Sequence, residues 1–291
     1  MKKGIIAICL SALGFSLMAT CVRLADAVGE PLPAIEKAFF RNLVAIAIAL
    51  PLFLQAFKRG EIKFAEIGFG NWRDIILRSV LGTLGIFTNF YALSRIPIGE
   101  AMALNKTAPF FTLVISFFLL GERMTVRQLV CTLGAFGGAL LVIKPGFSGG
   151  VSADAFVGLF SGFCAGAAYA ILHRLGLKRV NGAFIIFVFS LFSCLVSIPF
   201  IVFDFHAMNL SQTAVLVGAG GGAALGQFGI TWAYRFAEPR QIAVYDYSGI
   251  LFTALFGFFV FSQVPDIVSV VGFVVIIVMA VAVFRENANR A

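Results

Sequence analysis

The feature that most constrains this chain is a series of apolar runs, each about 20 residues long, separated mostly by short polar segments. A helix of about 20 apolar residues is long enough to cross the hydrocarbon core of a bilayer. Only 12% of the 291 residues are charged, whereas a soluble domain carries about 25%. The sequence therefore predicts an all-α integral membrane protein.

The apolar runs predict ten transmembrane helices. The predicted spans are residues 4–24, 33–57, 75–94, 98–120, 126–144, 155–173, 181–203, 212–235, 240–261 and 266–284. One longer polar segment, "KRGEIKFAEIGFGNWRD" (58–74), joins the second and third spans. We expect this segment to lie on the membrane surface.

The basic residues predict the orientation of the spans. Ten spans place both termini on one side, and the loops on that side hold most of the Lys and Arg residues. The other side clearly holds only Arg95 and Lys144. Because basic loops stay in the cytoplasm, we expect both termini to be cytoplasmic, in the inner membrane of a bacterium. The same rule explains the net charge of +8, so the expected partner of these residues is the lipid bilayer and no nucleic acid is implied.

The second half of the chain resembles the first half. Four pairs of segments match in order, at offsets of 150, 148, 141 and 141 residues: 10–24 with 160–174, 49–57 with 197–205, 85–92 with 226–233, and 109–118 with 250–259. A repeat with an odd number of spans enters the membrane in the opposite orientation in its second copy. The sequence therefore predicts two inverted five-helix repeats, residues 1–146 and 147–291, an architecture typical of secondary transporters.

Two short motifs add a family resemblance. "FFRNL" (39–43) lies in the second span. "AP-F…LLGERMT" (108–125) covers the second part of the fourth span and the residues that follow it. With the ten spans in two halves, these motifs resemble the drug/metabolite transporter superfamily, EamA type, over nearly the whole chain. The second half departs from the pattern, because Ser262-Gln263-Val264 stands where the first half has Gly121-Glu122-Arg123. The resemblance implies two EamA-like repeats and gradient-driven movement of amino acids, nucleotide-like compounds or drugs. Within this superfamily, the arrangement also resembles S-adenosylmethionine carriers and riboflavin carriers.

The sequence lacks the motifs of an enzyme or an ATP-driven pump. It contains neither H-E-x-x-H nor G-x-x-x-x-G-K-[ST], and its five cysteines form no C-x-x-C pair. We therefore predict no catalytic residue, no metal ligand and no cofactor. A membrane enzyme acting on lipid-linked substrates would need clustered carboxylates or histidines at one interface, and the sequence shows none.

Lys106 and Asp246 are the main candidate site residues. Ionisable side chains inside a span are costly and usually face a cavity or a partner. At the offset of 141, Lys106 corresponds to Tyr247 and Asn105 to Asp246. Counting along continuous helices places Lys106 and Asp246 at depths that differ by roughly 10 Å. A zwitterionic substrate could bridge them, or they could form an ion pair that holds the halves together. Pro109 should bend the fourth helix beside Lys106.

Two arginines are further charged candidates. Arg41 lies in the outer third of the second span and could contact a substrate carboxylate or phosphate. The alternative is an ion pair with Asp26, Glu30 or Glu36. Arg78 lies near the cytoplasmic end of the third span, where we expect its side chain to extend to the membrane surface.

Uncharged polar and aromatic residues complete the predicted substrate site. These candidates are Asn89, Tyr91, Asn105, Gln227, Trp232, Tyr245 and Tyr247. The segment "GAGGGAALG" (218–226) predicts a close helix-packing face. Glu122 and Arg123 are expected to form a surface pair or a cytoplasmic latch.

The sequence as a whole predicts a secondary active transporter of a small polar metabolite, working by alternating access. The substrate would be amino-acid-like or nucleotide-like, with S-adenosylmethionine as one candidate. The alternative is an exporter of drugs or riboflavin-type compounds. We expect a monomer or a homodimer.

Overall fold

The computed structural model describes residues 2–62, 68–95, 101, 104–122, 125–143, 153–262 and 264–289. These residues form helices and loops, with no β-strand among them. The principal helices are α1 (Lys2–Ala27), α2 (Ala34–Lys58), α3 (Phe69–Arg95), α4 (Ala108–Leu120), α5 (Val126–Ile143), α6 (Ala153–Leu177), α7 (Gly182–Phe203), α8 (Leu210–Phe236), α9 (Ser248–Phe261) and α10 (Ile267–Asn289).

The helix lengths confirm the prediction of ten spans. Within the described residues, nine helical segments are long and apolar enough to cross a membrane, the one that contains α9 being counted from Pro239 to Phe261. α4, with 13 residues, is a shorter apolar helix and completes the ten. Residues 98–100 and 102–103 of the predicted fourth span lie outside the described residues.

The segment expected on the membrane surface is partly helical. α3 begins at Phe69, six residues before the predicted start of the third span. Asp74 is fully buried there and forms ion pairs with Arg174 and Lys178 at the end of α6. Because these partners compensate its charge, the helix can extend through polar residues that the sequence alone assigns to a loop. Residues 63–67 of the segment lie outside the described residues.

The helices of each half pack mainly against the other half. α1 contacts α8 and α9, and α6 makes the corresponding contacts with α3 and α4. α2 contacts α7 and α8, while α7 contacts α2 and α3. α5 packs on α10. Exchanging α1–α5 with α6–α10 reproduces these pairs, as expected for two inverted repeats. The predicted boundary at residues 146 and 147 lies outside the described residues and stays a prediction.

Small residues bring the two halves close together. A Cβ atom on Gly222 of α8 would lie 2.8 Å from the Gly14 carbonyl oxygen of α1. In the α6–α4 contact, a Cβ atom on Gly166 would lie 2.7 Å from the Ala108 oxygen. Side chains at these positions would separate the backbones. The prediction that residues 218–226 form a close packing face is confirmed.

Candidate functional site

The site begins with two corresponding interruptions of helical structure. Residues 104–105 are helical, 106–107 form a turn, and α4 starts at Ala108 with Pro109 in its first turn. On the other side, a helical turn (Pro239–Ile242) and a 3₁₀-helix (Ala243–Tyr247) precede α9. The expected bend at Pro109 is therefore a break, because proline is well suited to the first turn of a new helix.

Lys106 and Asp246 meet where these two interruptions face each other. The Lys106 Nζ lies 3.2 Å from Asp246 Oδ2 and 3.5 Å from the Asp246 carbonyl oxygen. The Tyr247 hydroxyl donates to the Lys106 carbonyl oxygen at 3.1 Å. The predicted depth difference of roughly 10 Å assumed continuous α-helices, whereas both positions lie at helix interruptions. Direct pairing of the two side chains is the arrangement observed.

The pair keeps some contact with open space. The Lys106 side chain is 22% exposed and the Asp246 side chain 15%. α1 packs beside it, with the Ser16 hydroxyl donating to the Gly249 carbonyl oxygen at 2.8 Å. Asn105 is adjacent but points toward α6, where its Nδ2 donates to Ser161 Oγ at 3.2 Å. Four of the predicted residues, Asn105, Lys106, Asp246 and Tyr247, thus lie together at the contact between the halves.

Arg41 is buried and does not form any of the ion pairs considered from the sequence. Its side chain is 3% exposed, and its Nη1 lies 3.3 Å from the Met18 sulfur. Asp26 instead binds Lys37 at 2.6 Å, and Glu36 accepts from the His206 backbone N–H at 3.2 Å. The Arg41 Nε has no hydrogen-bond partner among the described residues.

Arg78 does not extend to the membrane surface, so that expectation is wrong. Arg78 is 2% exposed, and its Nη2 donates to Gln227 Oε1 at 2.8 Å. Its guanidinium lies over the Phe189 ring, 3.9 Å from the centroid. α7 and α8 supply these contacts and hold the side chain inside the bundle. The sequence named Arg78 as a charged candidate but missed its position inside the bundle, because both partners lie more than a hundred residues away in the chain.

Tyr169 of α6 is a residue that the sequence analysis missed. It is half-buried, and its hydroxyl lies within electrostatic range of Arg41, Arg78 and Asp246. Its ring packs on Tyr234, 5.8 Å between the centroids. The signal available in the sequence was its position inside a predicted span, as one of only five tyrosines in the chain.

The other predicted residues lie away from this centre. The Tyr91 hydroxyl donates to Asp154 at 3.3 Å near the predicted outer end. Trp232 is 46% exposed and packs on Phe228, as expected for a side chain facing lipid. Tyr245 lines a small apolar cavity of about 220 Å³ against α10. Asn89 is partly buried on α3.

The two ends of the bundle differ in the kind of contact between the halves, with ion pairs at the predicted cytoplasmic end and hydrogen bonds at the predicted outer end. At the predicted cytoplasmic end, Asp74 of α3 binds Arg174 and Lys178 of α6. The Glu122 carboxylate pairs with the buried His173 ring at 2.7 Å, while Arg123, its predicted partner, lies outside the described residues. At the predicted outer end, a cavity of about 560 Å³ opens between α2, α3, α6 and α7. Within the described part of the chain, no group of three His, Cys, Asp or Glu residues is placed to hold a metal ion.

Ten apolar helices in two facing halves, with interrupted helices meeting at a charge pair, define a membrane transporter. Residues 2–144 match the EamA-like transporter family. The chain is 33% identical to the pseudopaline exporter CntI of Pseudomonas aeruginosa, over 99% of this chain and 98% of that protein. The chain belongs to the EamA-like transporter family, and it is a multi-pass membrane transporter and not an enzyme.

More distant relatives differ in what their names say they carry. The chain is 24% identical to a riboflavin transporter of Brucella anthropi, over 89% of this chain and 91% of that protein. It is 26% identical to an S-adenosylmethionine uptake transporter of Rickettsia bellii, over 86% of this chain and 83% of that protein. One crystal structure superimposes with a TM-score of 0.72 at 17% identity, covering 94% of this chain and 98% of that one. This last likeness concerns the fold alone.

Proposed function

We propose that this protein is a secondary active transporter that moves a small polar metabolite by alternating access, with its substrate site between the two halves. The observation that carries the proposal is the meeting of two interrupted helices at the Lys106–Asp246 pair. Non-helical backbone at membrane depth is tolerated where it lines a cavity or is buried in protein. Transporters use such breaks to bind substrates near the bilayer midplane.

The charge pair gives the proposed cycle a physical basis. Lys106 belongs to the first half and Asp246 to the second, so relative motion of the halves would stretch their 3.2 Å contact. A substrate with an ammonium and a carboxylate group could replace it by two new ion pairs. The substrate would then offset the cost of separating the halves, because each charge keeps a partner. This mechanism favours an amino-acid-like metabolite.

The named relatives define the substrates to be tested. They include an exporter, an uptake transporter and a riboflavin transporter, so we propose that the direction of transport follows the gradients. S-adenosylmethionine carries both an ammonium and a carboxylate group and fits the proposed exchange of ion pairs. A riboflavin-type compound lacks the ammonium and carboxylate groups that Asp246 and Lys106 would bind in this way. It is the alternative substrate, and its transport would not use this exchange of ion pairs.

Counterflow in proteoliposomes tests the proposal. Vesicles would be loaded with one unlabelled class at a time (amino acids, S-adenosylmethionine, nucleotides or riboflavin), and entry of the labelled compound would be followed. We expect exchange for one class, and its loss in Lys106→Ala. Lys58→Ala is the matched control, because Lys58 lies exposed at the end of α2 and also loses one positive charge.

The outcomes separate the possible roles of Lys106. Exchange that is lost in the folded Lys106→Ala variant and kept in the control supports a substrate contact. Unchanged exchange in Lys106→Ala would assign the lysine a structural role. Exchange of no compound in the panel would contradict the proposed substrate classes. Measuring exchange from pH 5 to 8 in the parent and in Asp246→Asn tests the further proposal that Asp246 couples transport to protons. A rate independent of pH would contradict that coupling.

A further inference from the structure

Arg41 and Arg78 are buried cations with incomplete polar contacts. Within the described residues, Arg41 contacts only the weakly accepting Met18 sulfur, and Arg78 contacts Gln227 and the Phe189 ring. Three nitrogen atoms have no hydrogen-bond partner there: the Nε of each arginine and Nη1 of Arg78. Buried charged groups in proteins are normally paired and hydrogen-bonded. A bound ligand could supply the acceptors that these three nitrogen atoms lack.

The nearest carboxylates already have other partners. Asp246 is bound by Lys106, and Asp26 is bound by Lys37. Glu36 accepts from the His206 backbone N–H. No carboxylate in the described part of the chain forms an ion pair with either arginine. Neither buried arginine therefore has an anionic partner among the described residues, which leaves both of their positive charges without a compensating carboxylate.

The two arginines and their neighbours form one cluster. Arg41 and Arg78 lie within electrostatic range of each other, and the Tyr169 hydroxyl lies within range of both. Under the repeat offset of 148 residues, Arg41 corresponds to Phe189, the ring on which Arg78 stacks. Equivalent positions of the two inverted halves thus supply one cation of the cluster and the support for the other.

We propose that Arg41 and Arg78 form an anion subsite that binds a carboxylate or phosphate group of the transported metabolite. This proposal rests on the proposed transport function and names the chemical class of its substrate. Guanidinium groups bind carboxylates and phosphates through charge-assisted hydrogen bonds. Gln227 and Phe189 fix the Arg78 plane, which leaves its Nε and Nη1 free to donate. Lys106 and Asp246 would face the rest of the metabolite.

An anion subsite makes a prediction that a structural arginine does not. Two unpaired buried cations destabilise the protein until an anion binds between them. Anions should therefore raise the melting temperature of the parent protein, and the gain should depend on both arginines. Arg78→Gln and Arg41→Gln remove the charge and keep a polar side chain. Arg78→Lys keeps the charge but removes the planar donor group.

Thermal unfolding of the full-length protein in detergent provides the measurement. The probes are inorganic phosphate and succinate, compared with chloride at equal ionic strength, and the rise in melting temperature with probe concentration gives an apparent affinity. We expect at least about tenfold weaker affinity in both Gln variants and an intermediate loss in Arg78→Lys. Arg285→Gln, an exposed arginine at the end of α10, is the matched control and should match the parent.

Each result supports or overturns the subsite. Stabilisation of the parent by a probe, lost in the Gln variants and kept in the control, supports it. No stabilisation by either probe overturns it, as does stabilisation that survives both substitutions. Stabilisation only by phosphatidylglycerol added to the detergent would assign the arginines to a lipid headgroup and overturn it too. The unfolding assay needs no transport, so its result does not depend on whether counterflow is observed. In a separate counterflow experiment, exchange that persists in Arg41→Gln and Arg78→Gln would reject the subsite and leave the transport function standing.

Discussion

At the residue scale, Lys106 and Asp246 depend on each other more than on any other group that contacts them. Both lie at helix interruptions, where the backbone also supplies polar atoms. The Asp246 carbonyl oxygen faces Lys106, and the Lys106 carbonyl oxygen accepts from Tyr247. Losing one charge would leave the other with only these dipoles. The two residues should therefore behave as a unit.

A double-mutant cycle tests this dependence. Removing one partner of a buried ion pair typically costs about 3–5 kcal/mol. Because these side chains are partly exposed, we expect about 1–3 kcal/mol for Lys106→Gln or Asp246→Asn alone. The double variant should recover most of that loss, since neither charge is left unpaired. Additive effects on the melting temperature of the purified variants would show that the two side chains are independent.

At the element scale, contact between α1 and α8 requires glycine at particular positions. A Cβ atom on Gly222 would lie 2.8 Å from the Gly14 oxygen and from the Met18 nitrogen, whereas a Cβ atom on Gly221 meets nothing within 4 Å. The backbone of α1 cannot retreat without losing its contacts to α9. One methyl group on the facing side of α8 is enough to strain the contact between the halves.

These adjacent glycines form a matched pair for mutation. We expect Gly222→Ala to destabilise the protein by about 1–3 kcal/mol, the usual effect of overpacking. Gly221→Ala should be neutral or stabilising by up to about 1 kcal/mol, because alanine favours the helix. Melting temperatures in detergent measure both effects. Equal loss in the two variants would mean that the close α1–α8 approach does not limit stability.

The sequence predicted the helices well and the contacts between them only in part. Apolar run length is a local property, so the ten spans follow from it. The burial of Arg78 depends on Phe189 and Gln227, which come from other helices, and its local position pointed instead to the membrane surface. The direct Lys106–Asp246 contact depends on two helix interruptions that a residue count along continuous helices does not register.

At the scale of the whole molecule, ion pairs join the halves at the predicted cytoplasmic end of the bundle, whereas hydrogen bonds join them at the predicted outer end. Asp74 and Glu122 bind partners on α6 at the predicted cytoplasmic end, while a cavity of about 560 Å³ lies at the predicted outer end. If alternating access operates as proposed, this arrangement corresponds to a state closed toward the cytoplasm. Asp74 would then act as a clamp that must open in each cycle.

Weakening the clamp should shift the population toward the cytoplasm-open state. Asp74→Asn removes the charge shared by Arg174 and Lys178, so we expect a longer distance between the ends of α3 and α6. Spin labels would be attached to cysteines introduced at Arg73 and Leu177, in a variant from which the native cysteines have been removed. Pulsed electron paramagnetic resonance would then measure the distance between the two labels. Lys58→Ala, outside the clamp, should leave the distribution unchanged. An unaltered distance in Asp74→Asn would exclude the clamp role.

The packing of each half against the other also constrains how the protein is made. The Ser11 hydroxyl of α1 donates to the Gly226 carbonyl oxygen of α8, a residue 215 positions later in the chain. During synthesis, α1 therefore enters the membrane long before its partner exists, with small residues and polar atoms still uncovered. The first five helices are then in the bilayer without their packing partners until the second five helices have been inserted. Truncated chains should then be targets for membrane proteases, and assembly should be completed only near the end of translation.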